Sequence, residues 1–283
     1  MLFLLFLSIV FASLNGILLH KARLTSALAV YRLNLITACV WLVCLLSLNG
    51  FHLHIDRTVL LFGLVYGAVQ ALFIFFKTLA MNTGPVSVTT LMGNGSLLLS
   101  ILVCYFAWGE RVSIGDGVGL ALLLFAIALV TYKRGTGGGM RRGWILFAIF
   151  FLLFGAGVGI SFKAFSKTAS SANDMMIVAA LVMSLLFLLL CLSARGQRAH
   201  AGGIDRHFLW IAIGSGLLSC AYNRLNIYLS GELDAIVFFP FFNGGVVIIS
   251  AICSVLFTKE RLSARRIAGL LLGTAAIAVI GIL

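Results

Sequence analysis

The chain has 283 residues, of which 62% are hydrophobic and 10% charged, and its mean hydropathy is +1.15. A soluble domain is about 45–50% apolar and about 25% charged, so this balance excludes an ordinary soluble globule, and the 23 Phe with the aliphatic load exclude disorder. The net charge of +12 comes from 20 Lys and Arg that sit mostly in short loops between apolar runs, where they report membrane topology and give no reason to expect a nucleic-acid partner.

Continuous apolar runs of about twenty residues predict membrane-crossing helices, not the alternating segments of a membrane barrel. In chain order they are Leu2–Leu19, Ser26–Leu48, Thr58–Met81, Pro85–Trp108, Ser113–Thr131, Trp144–Phe165, Met175–Leu192, Phe208–Ser230, Leu233–Phe257 and Ser263–Leu283, ten in all. The first lacks a basic leader and a small-x-small cleavage site, and reads as a retained helix. The connection 133–143 carries Gly135-Thr136-Gly137-Gly138-Gly139 and reads as a flexible linker. It divides the chain into units 1–132 and 144–283. The six cysteines all fall inside apolar runs and form no CxxC pair, so they read as small hydrophobes, and no metal or disulfide is expected.

The two units repeat each other. Glu110-Arg111-Val112-Ser113 matches Glu260-Arg261-Leu262-Ser263, an offset of 150. At that offset Gly119-Leu120 meets Gly269-Leu270, and Ala126-Ile127-Ala128 meets Ala276-Ile277-Ala278. One residue out of register, Asn94-Gly95 faces Asn243-Gly244, and Lys21-Ala22 loosely matches Lys163-Ala164. Five spans per repeat, an odd number, would make the second repeat enter the membrane from the opposite side. The expected fold is therefore all-α, ten transmembrane helices as two inverted five-helix repeats, a recurring transporter design with the site at mid-depth between the repeats.

The duplicated pieces Gly109-Glu110-Arg111 and Lys259-Glu260-Arg261, each followed by a glycine-bearing last helix, resemble the drug/metabolite transporter superfamily of EamA type. The resemblance covers essentially the whole chain. It implies a ten-helix basket with a central cavity, alternating access, and export or exchange of small metabolites, amino acids among them. It leaves the substrate open. Thirteen Lys and Arg fall on one side of the expected membrane, in the connections after the first, fifth, seventh and ninth spans, and three, Arg57, Arg111 and Lys167, on the other. The positive-inside bias makes the first side cytoplasmic and puts both termini outside, whereas the superfamily's habit is both termini inside. The expected location is a bacterial inner membrane.

All eight acids lie at span ends or in loops. A proton antiporter for lipophilic cations needs a buried carboxylate. The small multidrug relatives use a Glu in the first helix, where this chain has Asn15. Four bases enter the spans. Lys77 and Lys163 stand close enough to span ends to snorkel, while Arg32 and Arg224 are deeper and read as lining. Ser215, Ser219, Asn223, Asn226 and Ser230 follow i, i+4, i+8, i+11, i+15, one face of a helix. Tyr66, Gln70 and Lys77 repeat the pattern in the equivalent third span. Gly93-Asn94-Gly95 and Asn243-Gly244-Gly245, the latter after Pro240, are candidate helix interruptions in matching places. The candidate substrate-binding residues are Arg32, Tyr66, Gln70, Asn94, Ser219, Asn223, Arg224, Asn226 and Asn243.

No catalytic motif is present, and neither an enzyme nor a cofactor is expected. The reading is a secondary transporter, exporter or exchanger, for a small polar metabolite such as an amino acid or organic anion. The expected partners are that solute and the lipid bilayer, the chain being a monomer or homodimer. Multidrug efflux is the alternative, followed by a membrane scaffold or lipid-handling protein.

Overall fold

The computed structural model describes residues 1–22, 26–84, 86–110, 112–131, 143–168, 170–194, 205–258 and 263–282. Arg23, Pro85, Arg111, Arg195, Arg198, Lys259-Glu260-Arg261 and the linker up to residue 142 lie outside them. The described residues form eleven helices and no strand: α1 (Leu2–Lys21), α2 (Ala27–Leu48), α3 (Arg57–Thr83), α4 (Val86–Asn94), α5 (Ser96–Trp108), α6 (Ile114–Thr131), α7 (Trp144–Ser166), α8 (Ala172–Ser193), α9 (Arg206–Glu232), α10 (Ala235–Thr258) and α11 (Ala264–Ile282). Seven apolar stretches are long enough to cross a membrane: α1, α2, α3, Val88–Trp108 across α4 and α5, α7, α8 and the first nineteen residues of α10. They are consistent with a multi-pass membrane protein. Their outward faces carry exposed apolar side chains such as Phe6, Val43, Leu61, Leu146 and Leu185, a surface that water would not tolerate as one continuous girdle.

Local chemistry sets the helix starts. Ser26, Asp56, Ser171 and Asp205 each accept the N–H three residues on and cap α2, α3, α8 and α9. The eleventh helix arises because the fourth apolar run is broken. Gly95 separates α4 from α5, its N–H donating to Met92 O at 3.0 Å while its carbonyl accepts from Leu98 at 3.1 Å. The matching run does not break: α10 is continuous through Pro240 and Asn243-Gly244-Gly245. Those two glycines serve close approach instead. A Cβ on Gly244 would stand 2.8 Å from Ile277, and one on Gly245 2.7 Å from Ile9. The expectation of paired interruptions is thus corrected to one.

α3 packs on α7 and α8, and α9 packs on α1 and α2; α2 packs on α8, and α6 on α11. α1 also meets α10, and α7 meets both α4 and α5. Exchanging the first five runs for the last five turns most of these pairs into one another. Two pairs lack a counterpart of similar extent: α7 rests on α9 but α1 does not rest comparably on α3, and α6 touches α10 but α11 does not touch α4 or α5 comparably. A cavity occupies the space between α1 and α3. The largest core cluster joins α2, α3, α7, α8 and α9 around Trp41, Tyr66, Phe162, Met175, Met176 and Phe187.

Contacts define the two ends of the bundle. At one end meet the C-termini of α2, α5, α7 and α9 and the N-termini of α3, α8 and α10, joined by side-chain hydrogen bonds described below. At the other end Leu18 and Leu19 of α1, with Ala22 just after it, pack with Leu33 of α2 and Phe208 and Ile211 of α9. There too Ala80 of α3 meets Trp144 of α7.

Candidate functional site

The polar faces of α2, α3 and α9 converge on a chamber with two connected lobes. The first, about 370 Å³, is lined by Asn15, Asn34, Thr37, Trp41, Gln70, Lys77, Thr78, Asn82, Ser215, Ser219, Tyr222 and Asn223 among others. The second, about 320 Å³, shares Gln70, Phe73, Lys77, Met81, Tyr222 and Asn223 with the first and adds Asn94, Asn226 and Asn243. Five phenylalanines, Phe151, Phe162, Phe238, Phe239 and Phe242, form an aromatic part of its wall, and Thr90, Ser96 and Ser100 add hydroxyls. Because its lining includes Leu19, Met81 and Asn82 near the ends of α1 and α3, the first lobe lies toward the end of the bundle to which Lys21 and Arg206 belong.

Helical geometry explains which side chains arrive. On α2 the lining positions are Val30, Leu33, Asn34, Thr37 and Trp41, one face at 100° per residue. Arg32 sits about 200° around the helix from Val30 and lines neither lobe; Cys191 of α8 is close enough to feel its charge. On α9 the lining face is Ser215, Ser219, Tyr222, Asn223 and Asn226. Arg224 sits about 180° from Ser215, exposed, in a separate crevice. The two arginines are therefore corrected: neither belongs to the chamber.

The buried amides and hydroxyls are held in place by neighbours. Ser215 Oγ donates to Asn15 Oδ1 at 2.7 Å, and Trp41 Nε1 donates to Ser219 Oγ at 2.8 Å. Tyr66 OH reaches Asn223 Oδ1 at 3.4 Å, and Ser8 Oγ donates to Asn226 Oδ1 at 2.6 Å. Tyr66 is fully buried and lines neither lobe; it supports Asn223 from behind. Asn243 Nδ2 donates within its own helix to Phe239 O. Ser230 also bonds within its helix, to Ile227 O, and stays outside the chamber. The α9 stripe thus both glues helices and lines the cavity. Two lining atoms are buried without a hydrogen bond, Thr37 Oγ1 and Gln70 Oε1. A buried acceptor left unpaired costs about 1–3 kcal/mol.

Lys77 is the residue that sequence reasoning set aside. It lines both lobes and is exposed although it stands among helices, because the space it faces is the cavity. No hydrogen bond or ion pair reaches it from the described residues. No carboxylate is among the described residues that line the two lobes. Its spacing of i+7 from Gln70 was the available signal. The sequence reading also leaves out Tyr222, Asn82, Asn34 and Thr37, which line the first lobe.

Lys163, also expected to snorkel, does the reverse. It is 1% exposed, and its Nζ stands 2.6 Å from Glu110 Oε1 and donates to Leu233 O at 2.7 Å. The other Glu110 oxygen accepts from Ala235 N, the first residue of α10, at 2.6 Å. The loop after α5 is thereby tied to α7, α9 and α10 beyond the second lobe. At the same end Asn49 Nδ2 donates to Asp174 Oδ1 at 2.6 Å, and Asn173 Nδ2 donates to Asn49 Oδ1 at 3.0 Å. Ser170 Oγ donates to Asp56 Oδ2 at 2.8 Å. The Val59 N–H, then the Ser170 hydroxyl, hold the Asp56 carboxyl below its ordinary value.

No protein-family model matches the sequence, and no curated protein does. A solved structure described as "Crystal structure of protein" shares the fold, with a TM-score of 0.76 at 16% identity over 99% of this chain and 97% of that chain. At that identity the likeness concerns the fold alone.

Proposed function

We propose that the chain is a secondary transporter of EamA type, carrying a small organic anion with an apolar body through the two-lobed chamber by alternating access. The observation that carries this reading is Lys77: an ammonium without a protein counter-charge among the described residues, facing a cavity that no described carboxylate lines. A carboxylate or phosphate completes it, Gln70 and Thr37 offer polar contacts beside it, and the phenylalanine wall takes the apolar part. Two inverted five-helix repeats in ten spans are supported by the packing pairs that exchange under swapping of the halves. The weaker α1–α3 approach is the asymmetry expected of a repeat pair caught open at one end. The charge bias makes that end cytoplasmic and leaves both termini outside. A lipophilic cation has no described acid to meet in the chamber, which disfavours multidrug efflux.

Counterflow in proteoliposomes tests the reading. The purified chain is preloaded with each member of a panel of aryl and alkyl carboxylates, phosphomonoesters, neutral analogues and organic cations. Saturable exchange of anions, lost in Lys77→Gln, is expected. Exchange confined to cations, or exchange of anions that Lys77→Gln leaves intact, would rule the reading out.

A further inference from the structure

Arg224 points away from the chamber and opens a different question. Its guanidinium is exposed, and no hydrogen bond or ion pair reaches it from the described residues. It lies in a crevice of about 590 Å³ between α1, α2 and α9. The walls are Leu7, Phe11, Leu48 and Leu217, with Asn173 and Tyr228 as polar neighbours. Asp174, beside Asn173, is already engaged by Asn49 and is not among the residues lining the crevice. Arg224 is eight residues from the end of α9, roughly 12 Å along the axis. A guanidinium on the lipid-facing surface at that depth is costly unless an anion meets it. Its planar fork suits a phosphate with two parallel hydrogen bonds, and the apolar walls suit the acyl chains below that phosphate.

We propose that this crevice is a binding site for an anionic phospholipid. Arg224 takes the headgroup phosphate, Asn173 and Tyr228 flank the headgroup, and an acyl chain lies along Leu7, Phe11 and Leu217; the choline cation of a zwitterionic lipid would offset the charge that Arg224 meets, so a net anionic headgroup is preferred. The site is on the half of the bundle away from Lys77, in the leaflet facing the tied end. It rests on the membrane placement and not on transport.

The test uses the full chain, delipidated and placed in nanodiscs of phosphatidylcholine with or without phosphatidylglycerol, with retained lipids counted by native mass spectrometry. The wild type is expected to retain phosphatidylglycerol about tenfold over phosphatidylcholine. Arg224→Gln removes that preference and Arg224→Lys keeps part of it. Leu217→Trp fills the crevice with the charge in place and lowers retention too, so the outcome does not hang on one variant. Lys167→Gln, which removes an exposed charge at the same end, leaves retention unchanged. Inorganic phosphate does not displace the lipid. Equal retention of the two lipids, full preference in Arg224→Gln, an equal loss in Lys167→Gln, or displacement by inorganic phosphate would each overturn the assignment, the last by making free phosphate the ligand.

Discussion

Lys163 and Lys77 each bring a charge in among the helices, in two regions that treat it oppositely. At the tied end Lys163 is enclosed, paired with Glu110 and bonded to the carbonyl that ends α9. In the chamber Lys77 lines the cavity, and no hydrogen bond or ion pair reaches it from the described residues. The first charge is spent on holding helix ends together; the second remains available. The same residue type thus serves cohesion where its partner is in the fold, and recognition where its partner must come from outside.

Removing Lys163 should sharpen that contrast most. Lys163→Met leaves Glu110 buried without its partner and should cost about 3–5 kcal/mol, read as a large fall in melting temperature in detergent. Adding Glu110→Leu should recover much of it, since an apolar pair of similar volume is often as stable as a buried ion pair. A single variant that melts like the wild type breaks the comparison.

Lys77→Gln should do the opposite. Nothing in the described fold depends on its charge, so the melting temperature should hold or rise. Affinity for the transported anion should fall about tenfold or more, the loss of one charged hydrogen bond of about 1.5–3 kcal/mol. Lys77→Arg, keeping the charge, should retain part of that affinity in the same titration. A Lys77→Gln variant as destabilised as Lys163→Met would make both lysines structural.

Smaller effects follow at the tied end. Asn49→Ala removes the amide that links Asp174 and Asn173 and should lower stability by about 1–2 kcal/mol, seen as a modest melting shift. The smallest concerns pH. Asp56 is held below its ordinary 3.8 by Val59 N–H and Ser170, so its folded value lies under its unfolded one. The stability it adds is present above the unfolded value and is lost as the pH falls through the folded one. The wild type should therefore lose slightly more stability than Asp56→Asn on acidification below about pH 4, in parallel melts.

Much of this was legible in the sequence, for reasons that the helices make plain. Apolar run length placed the described helices within a few residues, with α4 and α5 sharing one run, as in Ser26–Leu48 against α2 with Ser26 as its cap, because a long apolar run satisfies its own backbone only as a helix. The polar face of α9 was legible because a stripe is a periodicity. Arg32 and Arg224 were misassigned because proximity along the chain was allowed to outweigh angle; the same wheel that groups Ser219 with Asn226 turns Arg224 away. Lys77 was set aside for standing near a span end, which ignores that a cavity opens there. The break at Gly95 and the continuity of α10 were not separable in advance, since similar Asn-Gly pairs meet different neighbours: Gly244 closes on Ile277 and Leu123. The Glu110–Lys163 pair joins residues 53 positions apart, which no local pattern encodes.

On the proposed reading the chamber opens at the end toward Lys21 and Arg206 and is shut at the end held by Glu110 and Lys163. Gln70 lines both lobes, so Gln70→Cys, in a chain whose six native cysteines are replaced by alanine, reports on both ends. A membrane-impermeant thiol reagent applied to either face of sealed proteoliposomes is expected to label it many times faster from the face bearing the basic loops than from the other, which alternating access exposes only transiently. Adding Lys163→Met should speed labelling from the opposite face. Equal labelling from both faces before that substitution, or none from either, would contradict the account.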